Sequence, residues 1–470
     1  MKLTQMSLCL GLMVVIIACI SALFSISQEI DIALAFYAFS SLMLIYLGKV
    51  LTGSYSNFTI IFLAFSAIYS LSGPISILYG GWVYDFYPTP YLVDEFLLHY
   101  SLAIIGLAMG LIFVASTTRS SNDAAMLTPA WNTEVLVLLS YAFAAAASLA
   151  EIVNFLRVGG LETLYLGKAV YQSAVSELPG TLPSFLIILL STALLGLSLS
   201  TPNMKKKIWI RRLALWLIYS FPLVLSLVIL GERSYLLSLI VVLTIGCLFF
   251  RPIKGIKFKW ITFGILIYSA MAFLYGIRAY LGHVLITGDL NILWARISES
   301  SFWPTILNPA SNDFGCVFGN FNTYIISEAS DFRWGETYLR DMMVVIPRLI
   351  WPDKPQTIGF DFRDSYFPEW AQLGVGGGTA YSSILEAYVN FGTIGVPLVY
   401  LLLALSMGYL ERIRSRSIFH AIFYLTILPA AITFHRSDFQ NPIFFPLLLA
   451  LVGSLAYILI NSMFIKKYLN

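Results

Sequence analysis

The chain has 470 residues, of which 59% are hydrophobic and only 11% charged, with a net charge of +3. Soluble domains carry about a quarter charged residues, so this composition excludes a soluble globular protein and leaves an all-α polytopic membrane protein. The small, dispersed positive charge leaves no footprint for nucleic acid.

Lys2 and the apolar run to Ile26, ending in Ser25-Ile26-Ser27, have the layout of a signal peptide. A run close to ~20 residues matches a span better, and it is read as an uncleaved first helix. Twelve spans follow from such runs, at roughly 7–26, 30–51, 58–80, 96–118, 134–156, 183–200, 213–231, 235–250, 260–281, 383–410, 418–434 and 443–464. The chain thus divides into nine helices over 1–281, a large external loop over 282–382 with short helices, and three helices over 383–470. Glu386, Asn390, Gly392 and Gly395 make the tenth span the most polar.

Orientation follows from lysine and arginine placement. More than half of the 28 basic residues, from Lys2 and Lys49 through Lys205-Lys206-Lys207 and Arg251 to Arg412, Arg414, Lys466 and Lys467, fall on one side with hardly any acids. That side is read as cytoplasmic, with both termini inside. The opposite side has Lys168 and Lys354 as its only lysines, and its other basic residues are arginines. Topology does not distinguish the two, so the bias asks for planar, bidentate recognition of phosphate or carboxylate.

The segment 157–182, with Glu162, Tyr165, Lys168 and Tyr171, suggests a short interfacial helix. Cys9, Cys19 and Cys247 fall within spans and Cys316 stands alone in the large loop, so no disulfide framework is expected. Neither these cysteines nor His99, His283, His420 and His435 show metal-ligand spacing, and no metal or other cofactor is expected.

Candidate chemistry collects on the external side. Arg233 lies in the tight turn Gly231-Glu232-Arg233-Ser234, Arg278 ends the ninth span, Arg348 follows Pro347, and Arg436 follows His435 in the last external turn. Each alone is explained by snorkelling to the interface. Convergence on one anionic site is the economical alternative for the set. The large loop adds Arg296, Arg333, Arg340 and Arg363, then Gly374, Gly376, Gly377 and Gly378 ahead of the tenth span. A glycine run before a helix N-terminus can form an amide nest for an anion, or simply a hinge. Glu386, a carboxylate inside the tenth span, is a general-base candidate or an arginine's partner. His435 is a second candidate proton acceptor.

Four segments resemble the O-antigen polymerase (Wzy) family of bacterial envelopes. They are Gly231 to Ser234; Arg340-Asp341 through Pro347-Arg348 to Trp351-Pro352-Asp353-Lys354-Pro355; Arg363 through Gly374 and Gly378 to Glu386-Ala387-Tyr388 and Asn390-Phe391-Gly392; and His435-Arg436. Arg363 and Gly374 fit the R-x10-G pattern of such polymerases, whereas the loop after the fifth span has Arg157 and Lys168 at that spacing. The resemblance implies a glycosyltransferase C-like enzyme at the periplasmic face of the inner membrane. Its partners would be undecaprenyl-diphosphate-linked oligosaccharides, with a chain-length regulator and a flippase as further candidates. It implies that Arg233, Arg278, Arg340, Arg348, Arg363, Arg436 and the four glycines engage diphosphate, and that Glu386 or His435 activates the acceptor hydroxyl. An O-antigen ligase and a lipid-linked oligosaccharide flippase are the competing readings.

Overall fold

The computed structural model describes residues 2–81, 87–117, 131–160, 171, 183–201, 204–251, 253–255, 257–308, 313–327, 332–343, 346, 351, 353, 355, 358–369, 380–436 and 443–469. Every regular element among them is a helix. In chain order these are α1 (Lys2–Ile26), α2 (Ile30–Thr52), α3 (Phe58–Leu78), α4 (Val93–Thr117), α5 (Thr133–Arg157), α6 (Ser184–Leu199), α7 (Lys206–Ile229), α8 (Arg233–Cys247) and α9 (Phe258–Thr287). The loop region supplies α10 (Asn291–Ser298), α11 (Phe302–Leu307), α12 (Asp313–Ile326), α13 (Glu336–Met343) and α14 (Ile358–Tyr366). The chain then forms α15 (Ser383–Ile413), α16 (Ile418–Ile427), α17 (Ala430–Thr433) and α18 (Phe444–Leu469).

Nine helices among the described residues are long and apolar enough to cross a membrane, and three shorter apolar helices, Ser184–Leu199, Arg233–Cys247 and Ile418–Thr433, accompany them. The expected spans and these twelve segments coincide in order, because unbroken apolar runs leave the backbone no way to satisfy itself in lipid except as helix. Of the expected interfacial segment 157–182, only 157–160 and Tyr171 fall within the described residues.

Small residues set the closest packing. A Cβ at Gly106 of α4 would stand 2.2 Å from the Pro397 carbonyl oxygen of α15, and one at Gly110 would stand 2.6 Å from the Ala404 side chain. Such contact lets two apolar helices gain dispersion attraction where burial from water supplies no drive. Arg251, Arg412 and Arg414 gather at one end of this bundle, Arg414 lying over the ring of Phe249. Arg412 donates to the Val114 carbonyl at the end of α4 (2.7 Å), and Arg251 donates to the Thr201 carbonyl (2.7 Å). Buried Arg414 pairs with Glu411 (3.4 Å), whose carboxylate also accepts from the Tyr424 hydroxyl (3.0 Å).

At the other end α15 is broken. Gly392 adopts φ 65° and ψ −162°, so the segment is two helices joined at a kink. Left-handed φ is open to glycine at little cost. The stretch from Gly392 to Ile413 spans about 30 Å at helical rise, close to the hydrocarbon thickness. That stretch is by itself long enough to cross a membrane, and the turns before the break are additional length.

Candidate active site

The Gly231 turn builds the first region. Gly231 has φ 64°, and a Cβ there would meet the Cβ of Arg278 at 2.5 Å, so the arginine's stem lies directly on the turn. Arg233 opens α8 as the next helix begins. The guanidinium carbons of Arg233 and Arg278 lie 4.0 Å and 4.5 Å from the centroid of one ring, Tyr275. Two cations on a single aromatic ring are favoured by the ring and disfavoured by each other, an arrangement that an anion between them relieves.

Arg233 and Arg436 both line a cavity of about 320 Å³ between α3, α8, α9, α12 and α17. Its other walls are mainly apolar, from Phe65 and Ile68 of α3, Leu237 and Val241 of α8, and Ile267 and Met271 of α9. Beside it His435 is buried (1% exposed), with its ring against Phe62 at 4.4 Å and Tyr69 at 5.9 Å. Its Nε2 lies 3.0 Å from the Phe62 carbonyl oxygen, so Nε2 carries the proton and donates. The lone pair then rests on Nδ1, which is buried without a hydrogen-bond partner.

The second region is built on the helical turns before Gly392. Ser382 caps α15 by accepting from the Leu385 amide (3.2 Å). Glu386 is fully buried, and its Oε1 accepts from the Thr337 hydroxyl of α13 at 2.8 Å. Asn390 donates to Thr337 Oγ1 (2.5 Å) and accepts from the Gly335 amide (2.9 Å). The amides of Arg333 and Trp334 donate to the carbonyls of Val389 and Asn390, at 3.0 and 3.1 Å. The loop thus satisfies carbonyls next to the helix break. Burial raises the phenol pKa of Tyr338 and Tyr381 far above its ordinary value, and the Glu386 carboxylate pushes both further.

Among the candidates read from the sequence, Arg233 meets Arg278 on the Tyr275 ring and shares the cavity with Arg436, which follows buried His435. Arg340 and Arg363 are engaged within the loop helices. Arg340 of α13 pairs with Asp361 of α14, and Arg363 pairs with Asp364 at 2.7 Å while lying 5.0 Å from the Phe360 ring centroid. The hydrogen bond described for the Glu386 carboxylate comes from a threonine hydroxyl. Arg348, Gly374, Gly376, Gly377 and Gly378 lie outside the described residues.

Sequence reasoning overlooked Thr337, which carries no signal of its own, and the role of Tyr275, which its i, i+3 spacing to Arg278 on a helix could have revealed. Also overlooked was Glu151 of α5, which accepts from Ser226 (2.6 Å), Ser184 (2.7 Å) and Tyr171 (3.0 Å) and ties three segments together next to the Gly231 turn.

An all-α bundle with nine membrane-length helices among the described residues defines a polytopic membrane protein. Residues 321–468 match the family model of the O-antigen polysaccharide polymerase Wzy, so the chain carries an O-antigen polymerase Wzy family domain from α12 into α18. The match takes in Arg340, Arg363, Glu386, His435 and Arg436, whereas Arg233 and Arg278 precede it. It supports a role in O-antigen polysaccharide polymerisation, and so a polymerase or glycosyltransferase type of enzyme acting on lipid-linked oligosaccharide in a membrane. No curated protein and no solved structure matches the chain.

Proposed function

We propose that this protein lengthens a surface polysaccharide by transferring the growing glycan from undecaprenyl diphosphate to a newly delivered lipid-linked repeat unit. The observation that carries the proposal is that Arg233 and Arg436 line an apolar cavity between helices, with Arg278 joining Arg233 on the Tyr275 ring. Such a site complements a ligand with a polyanionic head and a hydrocarbon body.

In the proposed reaction the anomeric carbon of the donor glycan leaves its diphosphate oxygen and bonds to the acceptor's non-reducing-end hydroxyl oxygen. The bonding pair departs with undecaprenyl diphosphate, and the hydroxyl proton passes to a protein base. Arginines fixed before the reaction stabilise the charge that develops on the leaving diphosphate. Glu386 and His435 are the candidate bases, the first as a buried carboxylate and the second through its Nδ1 lone pair. Arg340, Arg348, Arg363 and the glycine run keep the substrate-binding role that the resemblance implies. Arg340 and Arg363 would then exchange or share their aspartate partners with phosphate.

The basic end of the bundle supports a cytoplasmic assignment for that end, with both termini inside the inner membrane and the site on the periplasmic face. A chain-length regulator and a flippase belong to the same proposal as partners. The test is incubation of purified protein in nanodiscs with lipid-linked repeat units alone. Elongated lipid-linked glycan is the expected product. Transfer only after a lipid A-core acceptor is added would make the protein a ligase. Passage of repeats into vesicles without any change in glycan length would make it a transporter.

A further inference from the structure

Helix α13 is amphipathic the wrong way round for a helix in water. Its protein-facing side is polar, with Thr337 and Asp341 at 0% and 1% exposure, while Leu339, Met342 and Met343 on the opposite side are 59%, 61% and 42% exposed. Helices on soluble proteins turn their apolar stripe inward, so an inverted helix reports an apolar medium outside it.

The position of α13 says which medium. Tyr338 stacks on Phe391 of α15 (6.2 Å between centroids, planes 15° apart), and the Phe332 ring lies against Gly392. From Phe391 the exposed surface runs on without interruption into Ile394, Leu398 and Leu402, the outer face of the membrane-length half of α15. The exposed face of α13 therefore continues a lipid-facing surface at the level where the hydrocarbon ends. Trp334, 77% exposed beside it, is the residue type that favours this level.

We propose that α13 lies in the plane of the bilayer interface, with Leu339, Met342 and Met343 seated at the headgroup–acyl boundary and Thr337 turned back to Glu386. The occupant of this face is lipid. The loop region is thus held down at its α13 end by the membrane as well as by hydrogen bonds to the broken helix. The inference rests on the membrane character of the chain and not on the reaction proposed above.

The test places a nitroxide at L339C, and separately at M342C, in full-length protein whose four native cysteines are replaced, reconstituted in phosphatidylcholine–phosphatidylglycerol nanodiscs. A label at I394C, on the outer face of α15, supplies the lipid reference. Collision with oxygen several-fold more frequent than with a water-soluble nickel chelate, as at I394C, is the expected result at both sites. Preferential collision with the nickel chelate would put the face in water and overturn the proposal. Low collision with both reagents would mean that protein, a second copy or another membrane partner, covers the face, and would overturn it equally. Because each label replaces an exposed side chain, both variants retain the monodisperse elution of the parent, and either one decides the outcome. Elongation activity plays no part in this readout.

Discussion

The two regions of the candidate site are built on opposite principles. Around Arg233, Arg278 and Arg436 the charges are cationic, with Arg233 and Arg278 on one aromatic ring and Arg233 and Arg436 beside an apolar cavity. Around Glu386 the charge is negative, fully buried and already served by Thr337, with Asn390 and the loop backbone closing the network. The first arrangement suits ligand binding, since cationic groups at the edge of an apolar cavity complement an anionic head on a hydrocarbon body. The second suits architecture and proton transfer, since its hydrogen bonds are made in the resting protein. The contrast predicts that substitutions in one region act on substrate and that those in the other act on the fold, unless Glu386 does both.

Glu386→Gln is the sharpest challenge. A base lost from its hydroxyl lowers turnover by about 10²–10⁴-fold while lipid-linked substrate still binds. Elongation assays paired with a binding measurement check this, and equal loss of both assigns Glu386 to structure alone. Next, Arg233→Ala is expected to lower the rate by about 10²–10³-fold, as for removal of one group that stabilises leaving-group charge. Its melting temperature in detergent should stay at the parent's value, and a clear fall would erase the distinction between the regions. Arg363→Lys keeps the charge and loses the planar fork, so the glycan ladder is expected to shorten sharply on a gel. Normal polymer from that variant would remove Arg363 from phosphate binding. The smallest effect is on stability. Thr337→Val leaves the Glu386 carboxylate and the Asn390 amide short of a partner and costs about 1–3 kcal/mol, read as a lower melting temperature with lipid diphosphate affinity intact.

Much of the fold was legible because a membrane-spanning helix needs only length and apolarity to announce itself. The polar interruptions at Glu386, Asn390 and Gly392 likewise fell in a helix that breaks. Glycine spacing and arginine bias pointed to an anion site, and Arg233 lies with Arg278 on one ring and with Arg436 at one cavity. The sequence could not show which arginines share a pocket, because that depends on how helices far apart in the chain pack. Arg340 and Arg363 looked equivalent to Arg233 in composition, but Asp361 on the neighbouring loop helix engages Arg340, and Asp364 on its own helix engages Arg363. Thr337 was invisible for the same reason: a lone threonine in a polar loop acquires meaning only when a buried carboxylate arrives opposite it.

The contact between Gly106 and Pro397 has a consequence for biogenesis. Helix α4 leaves the ribosome long before α15 and presents its glycine-notched face with no occupant. That cleft must be shielded by lipid or an insertase until the late helix is delivered, so a nascent chain stalled before Ser383 is the form that membrane quality control is equipped to notice.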